Sequence, residues 1–203
     1  MNPLDRPHVW LPGDGHPPLL LLHGTGGDEH DLLELGAVLA PGAPRLSPRG
    51  TVLENGAPRH FRRLREGVFD ENDLRVRVDE LAAFVTAAGE AHGVPAGSWY
   101  AVGFSNGANI ASALLLTRPD LLAGAVLLAA MVPFARPPEV DLTGKRVAVS
   151  NGLRDPMATP ALTARLVAQL RERGASVEEL HHQGGHTVGR DALAQAAAFL
   201  DRS

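Results

Sequence analysis

Residues Pro18 to Leu22 form an unbroken apolar run that stops at His23-Gly24. A half-exposed strand would alternate with polar residues, so a run this dense predicts a strand buried on both faces of a parallel sheet. Trp99 to Gly103 reads the same way; Leu122 to Ala129, Arg146 to Ser150 and Ser176 to Leu180 are further strands, with a weaker one at Ala43 to Ser47. Between them lie segments of helical period. Glu71 to His92 brings Leu74, Val78, Leu81, Ala82 and Val85 to one face, and Gly93 with Pro95 closes it. Ala108 to Thr117 ends at Arg118-Pro119, Thr159 to Arg173 ends at Gly174, and Val188 to Leu200 makes a last helix. Strands alternating with helices predict an α/β fold, a mostly parallel central sheet wrapped by helices on both faces. His8 to Leu11 fits a short edge strand. The one long irregular stretch, Ser47 to Asp70, carries Arg49, Arg59, Arg62, Arg63 and Arg65. Loops of that length in compact domains are usually functional covers or mobile segments.

Composition narrows the function. At 203 residues with 44% hydrophobic content, the expectation is one domain over 1–203 with a sizeable core. A net charge of −4 without a clustered basic stripe argues against nucleic acid as a partner. With no cysteine, disulfides, thiolate zinc sites and a cysteine nucleophile are excluded. Leu19 to Leu22 is too short for a membrane span and follows prolines rather than a basic segment, so a cytoplasmic protein is expected.

Gly103-Phe104-Ser105-Asn106-Gly107 matches G-x-S-x-G and lies between a buried strand and a helix. That setting lets the chain make a sharp turn that presents the Ser105 hydroxyl at the carboxyl end of the sheet. A tight glycine turn with an incidental serine is the plain alternative, and the strand–turn–helix context weighs against it. Serine needs a base. Of nine histidines, only His181, His182 and His186 follow the last strand or end it. His186 comes after Gly184-Gly185 on a loop, which favours it as general base over the two strand-end histidines. Asp155 lies just past the Arg146 to Ser150 strand. Its type and place fit a turn aspartate before Pro156 as well as an orienter of the imidazole. The order Ser105, Asp155, His186, which is that of α/β-hydrolases, decides for the orienter over Asp191 within the last helix.

His23-Gly24-Thr25-Gly26-Gly27 follows the first long strand, and the backbone N–H groups of Thr25 and Asn106 are the expected oxyanion donors. A phosphate-cradling loop is the competing reading, but no Walker lysine follows and the G-x-G-x-x-G pattern is not completed. His23, Asp28, Glu29 and His30 are close in sequence, yet the loop is explained without a metal, so no metal and no cofactor are expected.

Residues 21–29, 102–109, 151–156 and Gly184-Gly185-His186 together resemble the phospholipase/carboxylesterase branch of the α/β-hydrolase superfamily. Residues 62–70 also resemble a segment of bacterial members of that branch. The branch holds small serine esterases and acyl-protein thioesterases, with dienelactone hydrolases as relatives. The resemblance implies an α/β-hydrolase fold without a large cap domain, Ser105 as nucleophile, His186 as base, Asp155 as orienter and Thr25 and Asn106 as oxyanion donors; it also allows a homodimer. Asn106 stands where many members carry glutamine, and serine stands where dienelactone hydrolases proper carry cysteine.

The expected function is hydrolysis of short-chain or small aromatic esters through an acyl-enzyme, with a small-molecule ester as the partner. Thioesterase, lysophospholipase and lactone hydrolase activities share the same machinery, and a binding protein that keeps the fold without turnover is the reading from another class. Met131 and Phe134 after the Leu122 to Ala129 strand, and Met157 beside Asp155, are expected to line the acyl pocket. Ordinary core packing is their alternative. Arg62, Arg63 and Phe69 are expected to cover the site, the arginines binding an anionic leaving group or phosphate head group unless they simply face solvent. Ala130 to Lys145 leaves little room for a lid, so the pocket should be shallow and open.

Overall fold

A computed structural model describes residues 2–202. In chain order the strands and helices are β1 (His8–Leu11), β2 (Leu19–Leu22), α1 (Leu33–Leu39), β3 (Arg45–Pro48), β4 (Val52–Glu54), β5 (Ala57–Arg59), β6 (Arg63–Arg65) and β7 (Val68–Phe69). The second part has α2 (Glu71–His92), β8 (Trp99–Phe104), α3 (Asn106–Thr117), β9 (Leu122–Leu128), β10 (Arg146–Gly152), α4 (Pro160–Arg171), β11 (Ser176–His182) and α5 (Arg190–Asp201). Seven strands form one sheet in the order β1-β3-β2-β8-β9-β10-β11. Every pairing in it is parallel except that of β1 with β3 at the edge.

The alternation of side chains along a strand divides the apolar runs between two cores. Leu20 and Leu22 join Ala101, Leu127, Val147 and Val149 against α2, α3 and α4. Leu19 and Leu21 join Val102, Val126, Leu128 and Ala148 against α1 and α5. All four β2 leucines are fully buried. Burial of each contributes about 1.5–3 kcal/mol relative to exposure, and this is why a continuous apolar run belongs in a central strand. β2 and β8 run in register from Leu19 opposite Tyr100 to Leu22 opposite Gly103, and β8 ends with Phe104 opposite Leu128 of β9. The carboxyl ends of the central strands therefore finish together.

The helix ends follow local chemistry. Asp70 caps α2 by accepting from the Asp73 N–H at 3.1 Å, and Thr159 accepts from the Leu162 N–H before α4, with Pro160 in the first turn. Helix α1 departs from the sequence expectation, which had no helix there. It has seven residues and no side-chain cap, and holds its place by burying Leu39 and by packing Gly36 over Leu21.

The stretch expected to be one irregular loop is instead two ribbons, β4 paired with β5 and β6 paired with β7. Asn55-Gly56 makes the first turn with φ of 52° and 82°. Both positive values suit the two-residue hairpin turn that Asn-Gly favours. No helix among the described residues is long and apolar enough to cross a membrane.

Candidate active site

Ser105 occupies the junction between β8 and α3 with φ 52° and ψ −112°, a conformation costly for a residue with a side chain. Serine is a preferred helix cap, yet its side chain makes no capping bond here. The hydroxyl turns to His186 instead. The tight junction needs glycine on either side: a Cβ on Gly107 would come within 1.8 Å of the Leu22 carbonyl oxygen, and one on Gly103 within 2.5 Å of the Gly107 backbone.

His186, on the loop after β11, lies with Nε2 2.8 Å from Ser105 Oγ and Nδ1 2.8 Å from Asp155 Oδ2. Asp155, on the turn after β10, is buried, and its other oxygen accepts the Met157 and Ala158 N–H groups at 2.8 and 2.9 Å. The carboxylate only accepts, so the imidazole proton sits on Nδ1 and Nε2 is left to accept from the serine hydroxyl. The other histidines of this end point elsewhere. His181 lies near Glu179, and the His182 ring accepts from the Gly184 N–H. Asp191 sits in the first turn of α5.

The loop after β2 brings Thr25 to the same pocket as Ser105, Asn106 and His186. The Thr25 N–H makes no hydrogen bond among the described residues, and Asn106 starts α3, where the first N–H groups lack intrahelical partners. His23 braces this loop: its Nε2 accepts from the Gly50 N–H at 2.9 Å, so Nδ1–H donates to the Gly24 carbonyl at 2.6 Å. Burial lowers the His23 pKa, keeping the ring neutral for that pair of bonds. The Asn106 side chain accepts the His60 N–H at 2.7 Å and ties the turn after β8 to the ribbon region.

The pocket has a volume of about 290 Å³. Of the six residues expected to line or cover the site, Met131, Met157, Phe69 and Arg63 lie on its wall. Two expected residues do not. Phe134 is fully buried under α2, with the Arg75 guanidinium 4.5 Å above its ring, because its apolar ring is worth more in the core than at an open pocket. Arg62 points outward to Asp70 at 2.8 Å, since neighbouring residues on a ribbon face opposite sides and Arg63 takes the inward one.

Arg59, Phe104, Asn109 and Gly67 also line the pocket; Arg59 is named in the sequence only within the arginine-rich stretch, and none of the four is expected there as a pocket residue. The signal for Arg59 was present: the Asn55-Gly56 turn fixes a hairpin whose last strand ends at Arg59. Arg59 is buried and donates to Thr25 Oγ1 at 2.7 Å, the Phe61 carbonyl at 3.1 Å and Glu54 Oε2 at 3.3 Å. Arg63 Nε donates to the other oxygen of Glu54 at 2.9 Å, and that bond holds the Glu54 carboxyl below its ordinary pKa. Asp28, buried Glu29 and exposed His30 also cluster, with Arg49 as the counter-ion of Glu29.

No family model matches the chain. The protein named "Putative hydrolase MhqD" of Bacillus subtilis (strain 168) is 47% identical over 189 residues, 93% of this chain and 94% of that protein. Among solved structures, the Bacillus cereus carboxylesterase is 41% identical with a TM-score of 0.94, over 97% of this chain and 94% of that one. A carboxylesterase from Mesorhizobium loti is 30% identical with a TM-score of 0.91, over 98% and 95%. With this fold, this identity and coverage almost end to end, the chain is a hydrolase that belongs to the α/β-hydrolase esterases of the phospholipase/carboxylesterase type.

Proposed function

We propose that the protein is a serine carboxylesterase acting on short-chain or small aromatic esters, with Ser105, His186 and Asp155 as its catalytic residues. One observation carries the reading: an unbroken hydrogen-bond chain from Ser105 Oγ through His186 to Asp155, open to the pocket at its serine end. Ser105 Oγ attacks the ester carbonyl as His186 Nε2 takes its proton. Asp155 holds the imidazole in the right tautomer and stabilises the imidazolium. The N–H groups of Thr25 and Asn106 receive the charge that develops on the carbonyl oxygen. His186 then returns the proton to the leaving alcohol, and water releases the acyl group through the same steps in reverse. A pocket of about 290 Å³ walled by Met131, Met157, Phe69 and Phe104 supports small acyl groups.

The test is turnover of p-nitrophenyl esters of increasing acyl length by the protein and by Ser105→Ala, with fluorophosphonate labelling alongside. Activity that is greatest on short chains, falls at least about 10⁴-fold in the variant and coincides with labelling of Ser105 is expected. Equal activity in both proteins, or no labelling of folded protein, would overturn the assignment.

A further inference from the structure

Arg59 and Arg63 are the charged residues that line the pocket alongside Ser105 and His186. Their one shared carboxylate partner is Glu54, which spends one oxygen on each and does not itself line the pocket. The pair thus keeps one positive charge in surplus, directed at the space where the substrate must sit. Arg63 Nε goes to Glu54, while its Nη1 and Nη2 have no hydrogen-bond partner among the described residues. Arg59 cannot retreat, because it is pinned to Thr25, Phe61 and Glu54. The ribbon that carries it is itself bonded to the loop after β2 by the Gly26 N–H on the Pro58 carbonyl, at 2.9 Å. A guanidinium stays charged even when buried, and Arg63, about 31% exposed, puts its charge on the wall of a small, mostly apolar pocket, where an anion is its best match.

We propose that the natural substrate is an ester carrying a carboxylate, held by Arg63 with Arg59 behind it while the ester carbonyl faces Ser105. This rests on the serine esterase reading above and adds the substrate class to it. A carboxylate fits better than a phosphate for two reasons. A single surplus positive charge balances a monoanion rather than a dianion. The two free Nη donors of one planar guanidinium also suit a planar, two-oxygen acceptor. The shared chemistry leaves two places for that carboxylate, on the acid part of the ester or on its alcohol part.

The experiment measures kcat/KM on two matched pairs, in the wild type and in Arg63→Gln. The acid arm compares mono-4-nitrophenyl adipate with its methyl-capped diester. The alcohol arm compares 4-acetoxybenzoate with methyl 4-acetoxybenzoate. In each arm the quantity read is the charged-to-neutral ratio. Comparing that ratio between the two proteins cancels the intrinsic reactivity of the esters and any general loss of activity. The ratio is expected to fall about tenfold or more in Arg63→Gln in one arm, the magnitude of a lost charge-assisted hydrogen bond. The arm in which it falls tells which part of the ester bears the carboxylate. A ratio unchanged by the substitution in both arms overturns the proposal and leaves the serine esterase reading standing. Absence of any Ser105-dependent hydrolysis of all four esters overturns that reading, and the proposal with it.

Discussion

The central sheet and the ribbon region build one pocket by different physics. The sheet contributes Ser105 at the end of β8, Asp155 on the turn beyond β10 and His186 on the loop beyond β11; β8 and β10 are almost wholly buried, whereas on the edge strand β11 Leu180 is the buried residue. The ribbons contribute Arg59, Arg63, Gly67 and Phe69, on short strands that leave Leu53 and Leu64 in solvent. The ribbons are held by hydrogen bonds, with Glu54 between two arginines, the Asn106 side chain on the His60 N–H and Gly26 on Pro58, together with one apolar anchor, the fully buried Phe61 against Phe69. Hydrophobic burial thus dominates beneath Ser105 and Asp155, while hydrogen bonding joins a single buried phenylalanine in fixing the residues that shape the space in front of them.

The largest effect that would test this division is Asp155→Asn. An amide can keep the backbone bonds of Met157 and Ala158 but presents N–H to His186, forcing the wrong tautomer. A drop in kcat of about 10³- to 10⁴-fold is expected with little change in melting temperature, and near-normal turnover would break the sheet side of the comparison. Next is Leu20→Ala, expected to cost about 2–5 kcal/mol in urea unfolding because the void opens between fully buried neighbours.

His60, where the ribbons meet the sheet, gives an intermediate effect through pH. Burial first, then the nearby His23 and Arg6, holds its pKa well below the ordinary value. Its ring lies 4.4 Å from that of His23, and neither of its nitrogens has a hydrogen-bond partner among the described residues. The folded ring stays neutral while the unfolded ring takes a proton as pH falls through about 6.5. This group therefore adds no penalty at high pH and removes stability progressively below that value. The expected contribution is a slope of about 1.4 kcal/mol per pH unit under pH 6.5, which His60→Phe should remove from denaturant curves taken between pH 7.5 and 5.5. An identical slope in the variant would mean that the junction opens to water. The smallest effect is Leu64→Ser on a ribbon, expected within about 0.5 kcal/mol of wild type because the residue is exposed; a loss like that of Leu20→Ala would show that the outer face of the ribbons is buried in solution.

The same contrast explains what was legible beforehand. Apolar runs and helical periods announce the sheet and its covering helices, because burial acts on residue type. Gly103 to Gly107 announces a sharp turn, because the backbone approach to Leu22 tolerates no side chain. The ribbons carry no such periodicity. Their pairing depends on the Asn55-Gly56 turn and on partners far along the chain, as when Arg59 reaches Thr25. Arg62 and Arg63 are indistinguishable as residue types, and only strand geometry sends one to Asp70 and the other to the pocket. Phe134 fails as a pocket residue for a related reason, since a phenyl ring next to a strand end suits core and cavity equally until the packing of α2 is known.

The loop after β9 holds a last consequence. Ala129 stands at φ 53°, and the backbone around it is clamped by two asparagines. Asn151 both accepts from the Ala130 N–H and donates to the Ala130 carbonyl, at 2.8 Å each, and Asn109 accepts the Met131 N–H at 2.7 Å. Met131 is therefore a supple side chain mounted on an unyielding stem. On the proposed esterase reading, accommodation of differently shaped acyl groups falls to the turning of a thioether about its own bonds, at the cost of a rotamer change rather than a loop rearrangement. Selectivity among close homologues of a substrate should then grade smoothly with size, without the sharp cut-off of a rigid wall.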